Sequence, residues 1–287
     1  MRTSLATPSS TNPDPNSEIP NSKSELPYLS VVIPAYNEAS RLPASLGKVM
    51  QYLEGCNYTY EVIVVDDGSD DGTPGIVEEM GQAHTHLRAI RNPHRGKGYA
   101  VRTGMLAARG RFVLYSDADF SAPIEEIEKL LPYLEGRFHV AIGSREGAGA
   151  RRYDEPGYRH LMGRIFNTFV RLVALPQFKD TQCGFKAFRQ DAARALFNSL
   201  HLYGDNAGDV KGAMVTGFDV EVLYLALKWG YRVKEVPVQW YYSAGTKVNP
   251  LKDTFRMIKD ILKVRYNDVR GLYRNSRTKS PRNRAAK

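Results

Sequence analysis

The sequence predicts an α/β fold: a mostly parallel sheet with helices on both faces and an amphipathic C-terminal helix. Short apolar segments rich in β-branched residues alternate with segments of helical periodicity, and polar motifs follow the apolar segments. Strands that alternate with helices pair in parallel, and the connecting helices cover both faces of the sheet. The 287 residues are 42% hydrophobic, which is enough for one large core.

The predicted strands are short apolar runs bounded by polar turns. They span 28–35, 60–65, 87–91, 112–116 and 138–143. The predicted helices have apolar residues at three- and four-residue spacing. Between the strands they span 40–54, 73–82, 97–109 and 123–134, and beyond them 159–175, 218–229 and 251–269.

The net charge of +9 first favours a nucleic acid or an anionic membrane as partner. Residues 271–287 contribute +6 and residues 250–270 contribute +3, so the first 249 residues are neutral. A neutral body argues against nucleic-acid binding. We expect no nucleic-acid partner.

One folded domain is predicted between two disordered segments. Residues 1–26 are rich in Ser, Thr, Pro and Asn without apolar periodicity, and residues 271–287 form a basic tail. The domain then spans 27–270. The two distant cysteines, Cys56 and Cys183, exclude a disulfide scaffold and fit a reducing compartment. With no signal peptide and no run of ~18 apolar residues, we expect a cytoplasmic protein without a spanning helix.

Asp117 and Asp119 are the most specific feature of the sequence. Both follow an apolar strand, so two carboxylates emerge at one strand end. Mg²⁺ or Mn²⁺, held by such carboxylates and by phosphate oxygens, is the expected use. The alternative is a turn whose acids cap the helix after Pro123.

Asp66 and Asp67 end the second strand. One of them can bind the base or ribose of a nucleotide, as strand-end acids do in dinucleotide sites. The alternative is an Asx turn that closes the loop, and each acid can do one of these jobs.

Arg95-Gly96-Lys97-Gly98 precedes a helix. Glycines allow close backbone approach, the helix N-terminus favours anions and Lys97 adds a charge, so a diphosphate fits here. Arg91 stands where a P-loop has its first glycine, so this is not a P-loop.

Asp219 and Glu221 open the helix at 218–229 and point in different directions. One can face a bound phosphosugar, as a general base or an electrostatic partner, while the other braces it. The alternative is that both are acids favoured by the helix dipole.

These motifs resemble family 2 glycosyltransferases, which have the Rossmann-like GT-A fold. The sequences PAYNE, VDDGSDDGT, GKG, DAD, GSR, DTQCGFK and FDVE occur here in the order that this family shows. DTQCGFK, FDVE and Gly245-Thr246-Lys247 resemble the dolichyl-phosphate β-glucosyltransferase branch of the polyprenyl-phosphate enzymes most. The resemblance covers about residues 28–270.

The resemblance implies a metal-dependent, inverting transfer of a hexose to a polyprenyl or dolichyl phosphate, with glucose from UDP-glucose as the expected donor and Mg²⁺ or Mn²⁺ as cofactor. The implied metal ligands are Asp117 and Asp119, and the implied catalytic carboxylate is Asp219 with Glu221 as support. The nucleotide-sugar site would comprise Pro34, Tyr36, Glu38, Asp66, Asp67, Lys97, Asp117, Ala118 and Asp119. Phosphates of donor or acceptor would be neutralised by Arg145, Lys186, Lys211 and Lys247.

Two positions point away from GDP-mannose. Ser121 stands where the mannosyl type tends to have Gln, and Tyr241 where it has Arg. The stretch 203–215 looks like an insertion that supplies Lys211. Because of this insertion, the sequence does not determine the identity of the acceptor. GDP-mannose, another sugar nucleotide or a soluble acceptor remain alternatives. A nucleotidyltransferase and a non-enzymatic nucleic-acid binder are remote ones.

Two predicted helices are basic and amphipathic. In 251–269, Leu251, Phe255, Ile258, Leu262 and Val269 share one face, and 159–175 has a similar pattern. Such helices suit an anionic membrane surface. The alternative is that both pack on the sheet. We expect peripheral contact with the cytoplasmic face of a membrane.

Overall fold

The computed structural model describes residues 26–204, 208–210, 212, 217–243 and 250–274. The strands in this part of the chain are β1 Leu29–Ala35, β2 Tyr60–Asp66, β3 Leu87–Arg91, β4 Phe112–Ser116, β5 Val140–Ser144, β6 Arg151–Tyr153, β7 Phe185–Arg189, β8 Val233–Pro237 and β9 Gln239–Tyr241. The helices are α1 Leu42–Glu54, α2 Thr73–Ala83, α3 Lys97–Ala107, α4 Ile127–Glu135, α5 Gly157–Val173, α6 Gln190–Phe197, α7 Phe218–Lys228 and α8 Pro250–Val269. A 3₁₀ turn, Ile124–Glu126, precedes α4 and divides the helix predicted over 123–134.

Seven strands form the central sheet in the order β3-β2-β1-β4-β7-β5-β8. Its strands pair in parallel, except that β7 runs antiparallel to both neighbours. The chain moves outward from β1 through β2 to β3 and then returns to place β4 on the other side of β1. Ligands of open α/β sheets bind at the carboxyl ends of strands where the order reverses in this way. The PAYNE motif covers the end of β1 and the DAD motif follows β4, at that point.

The antiparallel strand β7 and the strands β6, β8 and β9 were not predicted. Alternating strand and helix signals favour parallel pairing, and β7 is a five-residue segment that begins with the last two residues of the DTQCGFK motif. Its register places Lys186 opposite Tyr115 and Phe185 opposite Ser116. This insertion brings the DTQCGFK motif beside the strand that carries Asp117.

Two apolar cores lie on opposite faces of the sheet. One is built with α1, α2 and α4, and the other with α3 and α5–α8. Four residues expected in the tail, 271–274, are described, and Tyr273 among them is buried in the second core. Residues 1–25 and 275–287 lie outside the described part. Within that part, no helix combines the length and the apolar character needed to cross a bilayer.

Candidate active site

Asp117 lies at the end of β4 and contacts two other motifs. Its backbone N–H donates to the carbonyl of Gly184 at 3.1 Å. Its Oδ1 lies 2.6 Å from Nζ of Lys97, the first residue of α3. Gly96 begins that helix with φ 90°, a conformation that favours glycine. The structure therefore brings the DAD, GKG and DTQCGFK motifs together.

Asp119 is the more enclosed of the two DAD carboxylates. Its Oδ1 accepts from the N–H of Ser121 at 3.0 Å, and its Oδ2 lies 3.7 Å from Nη1 of Arg41. Burial and the neighbouring Asp117 raise the pKa of Asp119 above its ordinary value. Phe120 is held at φ 44° between Asp119 and Ser121, a conformation that costs free energy in a non-glycine residue.

The DAD pair fits a hard divalent cation. Burial and Asp117 make the negative charge of Asp119 costly, and a divalent cation held by both carboxylates would neutralise that charge. Among the described residues, no group of three or more His, Cys, Asp or Glu side chains could hold a metal. The remaining ligands would thus come from phosphate oxygens and water, as is usual for Mg²⁺.

Gly184 makes room for the carboxylate of Asp117. A Cβ placed on Gly184 would lie 2.3 Å from Asp117 Oδ2 and 2.4 Å from its Cγ. Such distances are far inside van der Waals contact, so only glycine leaves Asp117 where it is. The sequence did not single out Gly184, because the motif shows a glycine but not what it faces.

We expect Gly184→Ala to lower the activity of this site about a hundredfold or more, since it would displace Asp117, the expected metal ligand, and so lose transition-state positioning. The loss should appear in the Mn²⁺ dependence of donor binding, measured by titration calorimetry. Gly47→Ala is the matched control, because a Cβ on Gly47 meets nothing within 4 Å. Wild-type Mn²⁺ dependence in Gly184→Ala would contradict this role.

Asp219 and Lys186 form a buried ion pair beside the DAD motif. Lys186 is 0% exposed, and its Nζ donates to Asp219 Oδ1 at 2.6 Å and to the carbonyl of Cys183 at 2.5 Å. The hydroxyl of Tyr115 donates to the same carboxylate oxygen. Burial and Asp219 raise the pKa of Tyr115 well above its usual range, so the phenol keeps its proton. Lys186, expected at a phosphate, instead fixes Asp219.

Lys97 links Asp219 to the DAD pair. Burial lowers the pKa of the Lys97 ammonium, but Asp117, Asp219 and Asp119 outweigh it and raise this pKa above its ordinary value. The three carboxylates therefore act on one cation. The structure places Asp219 near Lys97 and the DAD pair, and its catalytic role stays a prediction.

Glu221 lies away from this site. It is 0% exposed, and its Oε1 accepts from the N–H of His201 and the hydroxyl of Tyr273, each at 2.7 Å. Burial raises its pKa. Glu221 holds the segment after α6 and the end of the domain against α7. Glu221 thus makes bracing contacts, and in the described part of the chain none of its hydrogen bonds is to Asp117, Asp119, Lys97 or Asp219.

The two acids after β2 have different contacts. Asp67 accepts from the backbone N–H groups of Arg95 at 3.1 Å and Gly96 at 2.8 Å, and its Oδ2 lies 2.8 Å from His94 Nδ1. It fixes the loop that carries Lys97. Within the described residues, the Asp66 carboxylate accepts long bonds from Ser69 N–H, at 3.3 and 3.4 Å, in a turn.

Tyr36 stacks on His94, with ring centroids 3.9 Å apart and planes 6° from parallel. His94 had no predicted role, since the six histidines show no ligand spacing. Its position before the RGKG segment was the available signal. The stacked pair provides an aromatic wall beside Asp67.

The other residues expected at the nucleotide are engaged in protein contacts. Pro34 is buried within β1, and Glu38 pairs with Arg41, whose Nη2 donates to Glu38 Oε1 at 2.7 Å. The carbonyl of Ala118 accepts from Ser45 Oγ at 2.6 Å. Arg41, which no motif indicated, therefore joins the PAYNE and DAD motifs.

A cavity of about 630 Å³ opens beside Asp119. Its lining joins the start of α1, the residues after the DAD motif and the end of β9, and includes Arg41, Lys48, Asp119, Ser121 and Tyr241. Both positions that pointed away from GDP-mannose, Ser121 and Tyr241, line it. Lys211 and Lys247 lie outside the described residues.

Arg145 pairs with Asp180 in two parallel bonds, Nε to Oδ2 at 2.7 Å and Nη2 to Oδ1 at 2.9 Å. Asp180 is 0% exposed, and Arg145 also lies over the Trp240 ring. Burial would raise the pKa of Asp180, but Arg145 overcomes this and holds it well below its usual range. Arg145, expected at a phosphate, thus joins β5 to the DTQCGFK motif.

We expect Arg145→Met to cost about 3–5 kcal/mol of folding free energy, because Asp180 is left buried without its partner. In the wild type the stability from Asp180 is present above its unfolded pKa of about 3.9 and is lost as the pH falls below that. In the variant, burial raises the pKa of Asp180, so the deficit grows as the pH rises. Urea unfolding between about pH 4 and pH 8 measures this. A loss of folding free energy in Arg145→Met that does not change with pH would contradict this role of the Arg145–Asp180 pair.

Comparisons with known proteins decide the family. The model of glycosyl transferase family 2 matches residues 30–197. A dolichyl-phosphate beta-glucosyltransferase of Drosophila melanogaster is 37% identical over 86% of this chain and 77% of its own length. The chain belongs to glycosyl transferase family 2. The human dolichyl-phosphate beta-glucosyltransferase is 34% identical to this glycosyltransferase, over 88% of this chain and 79% of the human one.

Solved structures share the fold of this glycosyltransferase. Glucosyl-3-phosphoglycerate synthase of Mycobacterium tuberculosis, in complex with Mn²⁺, UDP-glucose and phosphoglyceric acid, has a TM-score of 0.58 at 19% identity, covering 87% of this chain and 82% of that one. A mannosyltransferase of Pyrobaculum calidifontis, with GDP-Man and Mn²⁺, has a TM-score of 0.56 at 20% identity. The match covers 86% of this chain and 65% of that longer one. The predicted GT-A fold is confirmed.

Proposed function

We propose that this glycosyltransferase moves glucose from UDP-glucose to a polyprenyl or dolichyl phosphate, with Mg²⁺ or Mn²⁺ on Asp117 and Asp119. The observation that carries the proposal is the convergence of Asp117, Asp119, Lys97 and Asp219 at the switch point of the sheet. Relatives named for dolichyl-phosphate glucosyl transfer match over most of the chain. GDP-mannose, another sugar nucleotide or a soluble acceptor are the alternatives.

The donor would lie across the carboxyl ends of β1, β2 and β4. Asp66 and the Tyr36–His94 stack border the nucleoside end, and Asp67 holds the backbone of the RGKG loop at the diphosphate. A divalent cation, when bound, neutralises charge on the diphosphate. Lys97 adds a fixed positive charge at the same place, which favours departure of UDP.

Transfer would proceed by in-line attack with inversion. An oxygen of the acceptor phosphate forms the new bond to the anomeric carbon, and the bond from that carbon to UDP breaks with its electron pair on the diphosphate. The acceptor phosphate is already ionised near neutral pH, so no proton has to be removed. Asp219, held by Lys186 and Tyr115, would then orient the sugar and stabilise positive charge at the anomeric carbon.

A donor panel tests the proposal. UDP-glucose, UDP-N-acetylglucosamine and GDP-mannose are supplied singly with Mn²⁺ and either dolichyl or undecaprenyl phosphate, and lipid products are identified by mass. We expect a hexosyl lipid phosphate from UDP-glucose. Product from GDP-mannose alone would favour the mannosyl alternative.

We also propose that α5 and α8 place the enzyme on an anionic membrane surface. Met257, Ile261 and Val264 of α8 pack into the core, yet Phe255, Leu262, Tyr266 and Val269 stay exposed. Helix α5 contacts α8 and exposes Tyr158, Leu161, Ile165 and Leu172 at helical spacing. Leu172 is 82% and Val269 86% exposed, which packing on the sheet alone does not explain. The cytoplasmic face stays a prediction.

We expect Leu172→Asp with Val269→Asp to weaken co-sedimentation with anionic vesicles about tenfold or more, since each buried CH₂ contributes about 0.8 kcal/mol. UDP-glucose binding in solution should not change. Leu26→Asp, at another exposed apolar residue, is the control. Removal of residues 275–287, which spares the buried Tyr273, tests the basic tail. Unaltered sedimentation of the double variant would contradict docking through these helices.

A further inference from the structure

A second cluster of positive charge lies outside the candidate active site, on one side of α5. Arg164, Arg171 and Lys179 line a cavity of about 190 Å³ together with Glu146, Asn167 and Thr168. Arg164, Asn167, Thr168 and Arg171 occupy positions i, i+3, i+4 and i+7 of the helix, so they share one face. Lys179 approaches from the segment before β7.

The charges around this cavity are unbalanced. Glu146 is the acidic residue in the lining of the cavity, and its Oε1 already accepts a hydrogen bond from Arg152 Nη2 at 2.8 Å. Among the described residues, no ion pair to a carboxylate is found for Arg164, Arg171 or Lys179. Three cations therefore converge on one space with a single, already paired counter-charge.

Asn167 provides the second observation. Asn167 is 6% exposed, and its side-chain oxygen Oδ1 is buried without a hydrogen-bond partner among the described residues. An acceptor oxygen pairs with a donor, so a water or a hydroxyl group of a bound molecule would satisfy Oδ1, and a phosphate oxygen without a proton would not. The carboxamide also carries an NH₂ group, which can donate to an oxyanion that the cations attract.

We infer that this cavity binds a phosphate group, at a site separate from the one that transfers the sugar. Arginine and lysine side chains with an amide donor suit a tetrahedral oxyanion, because charge-assisted bonds to phosphate oxygens are strong. The site flanks the exposed apolar residues Leu161, Ile165 and Leu172 of α5. A membrane phospholipid can thus supply the phosphate with its chains beside those residues, and a soluble phosphate ester is the other source.

Two arms distinguish these sources. In one, the full-length protein binds phosphatidylcholine vesicles that contain either phosphatidic acid or phosphatidylserine at matched charge. In the other, inorganic phosphate is titrated and compared with chloride at equal ionic strength. A preference for phosphatidic acid identifies a lipid phosphate, and binding of inorganic phosphate alone identifies a soluble ester. Either result supports the phosphate site.

Two variants test the site itself. Arg171→Gln, at an exposed position, should weaken binding of the preferred phosphate ligand about tenfold, because one charge-assisted contact is lost. Asn167→Leu should remove the preference without a change of charge. Arg194→Gln, an exposed arginine on α6, is the matched control and should bind as the wild type does.

The inference is overturned if Asn167→Leu keeps wild-type binding in both arms, or if Arg171→Gln and Arg194→Gln weaken binding equally. Equal weakening would mean a solvated basic face and no site. Thermal unfolding of each variant confirms that it is folded. Since neither arm requires sugar transfer, failure here leaves the proposed transferase activity intact.

Discussion

Replacing Asp119 by alanine is expected to abolish metal-dependent binding of UDP-glucose and to lower kcat/KM about a thousandfold. Asp119 is the more enclosed DAD carboxylate, fixed by Ser121 N–H and facing Arg41. Metal ions supply several kcal/mol of charge stabilisation in such transfers, and each 1.36 kcal/mol is a factor of ten. Loss of one of two protein ligands should therefore remove most of that effect.

Donor affinity measured with and without Mn²⁺ checks the Asp119 prediction. In the wild type, Mn²⁺ should strengthen UDP-glucose binding, whereas in Asp119→Ala the two affinities should be equal and weak. Asp191→Ala is the control, because Asp191 follows β7 at the opposite end of that strand and is exposed. Unchanged donor affinity in Asp119→Ala would refute the metal assignment.

Asp219→Asn is expected to lower kcat about 10²–10³-fold, the range for losing one group that stabilises charge in the transition state. Its charge faces the same space as Lys97, and Lys186 and Tyr115 hold it in one orientation. The substitution also leaves Lys186 buried without a counter-charge. A loss of about 3–5 kcal/mol of folding free energy should accompany the loss of activity.

A double variant separates the two effects at Asp219. Replacing the whole buried pair, Lys186→Met with Asp219→Asn, removes both charges and should restore much of the stability. It should not restore kcat, because the carboxylate is still missing. Recovery of kcat together with stability would show that Asp219 acts only through folding.

The sequence predicted the first half of the fold well because its signals there are local. The strands β1, β2 and β4 are apolar runs that each lead into a polar motif, and their parallel pairing places Asp66, Asp117 and Asp119 at one edge of the sheet. The family and the GT-A fold were predicted from these motifs and are confirmed. The roles of the individual residues stay predictions.

The sequence did not predict which side chains contact each other. Lys186 and Arg145 were expected at phosphates, because a basic residue in a motif shows its charge but not its neighbour. Because β7 inserts antiparallel to β4, Lys186 forms an ion pair with Asp219. Arg145 forms an ion pair with Asp180. Similarly, the sequence separated Asp219 and Glu221 only as two directions on a helix. Both are buried, and their contacts distinguish them: Asp219 bonds to Lys186, whereas Glu221 bonds to Tyr273.

Competition between two acceptors tests the central proposal most directly. The purified protein receives UDP-glucose and Mn²⁺ with equimolar dolichyl phosphate and 3-phosphoglycerate in detergent, and radiolabelled glucose is followed into lipid and aqueous products. We predict a glucosyl lipid phosphate, with UDP released in equal amount and no product in Asp119→Ala. Glucose found in 3-phosphoglycerate, with none in the lipid, would contradict the proposal.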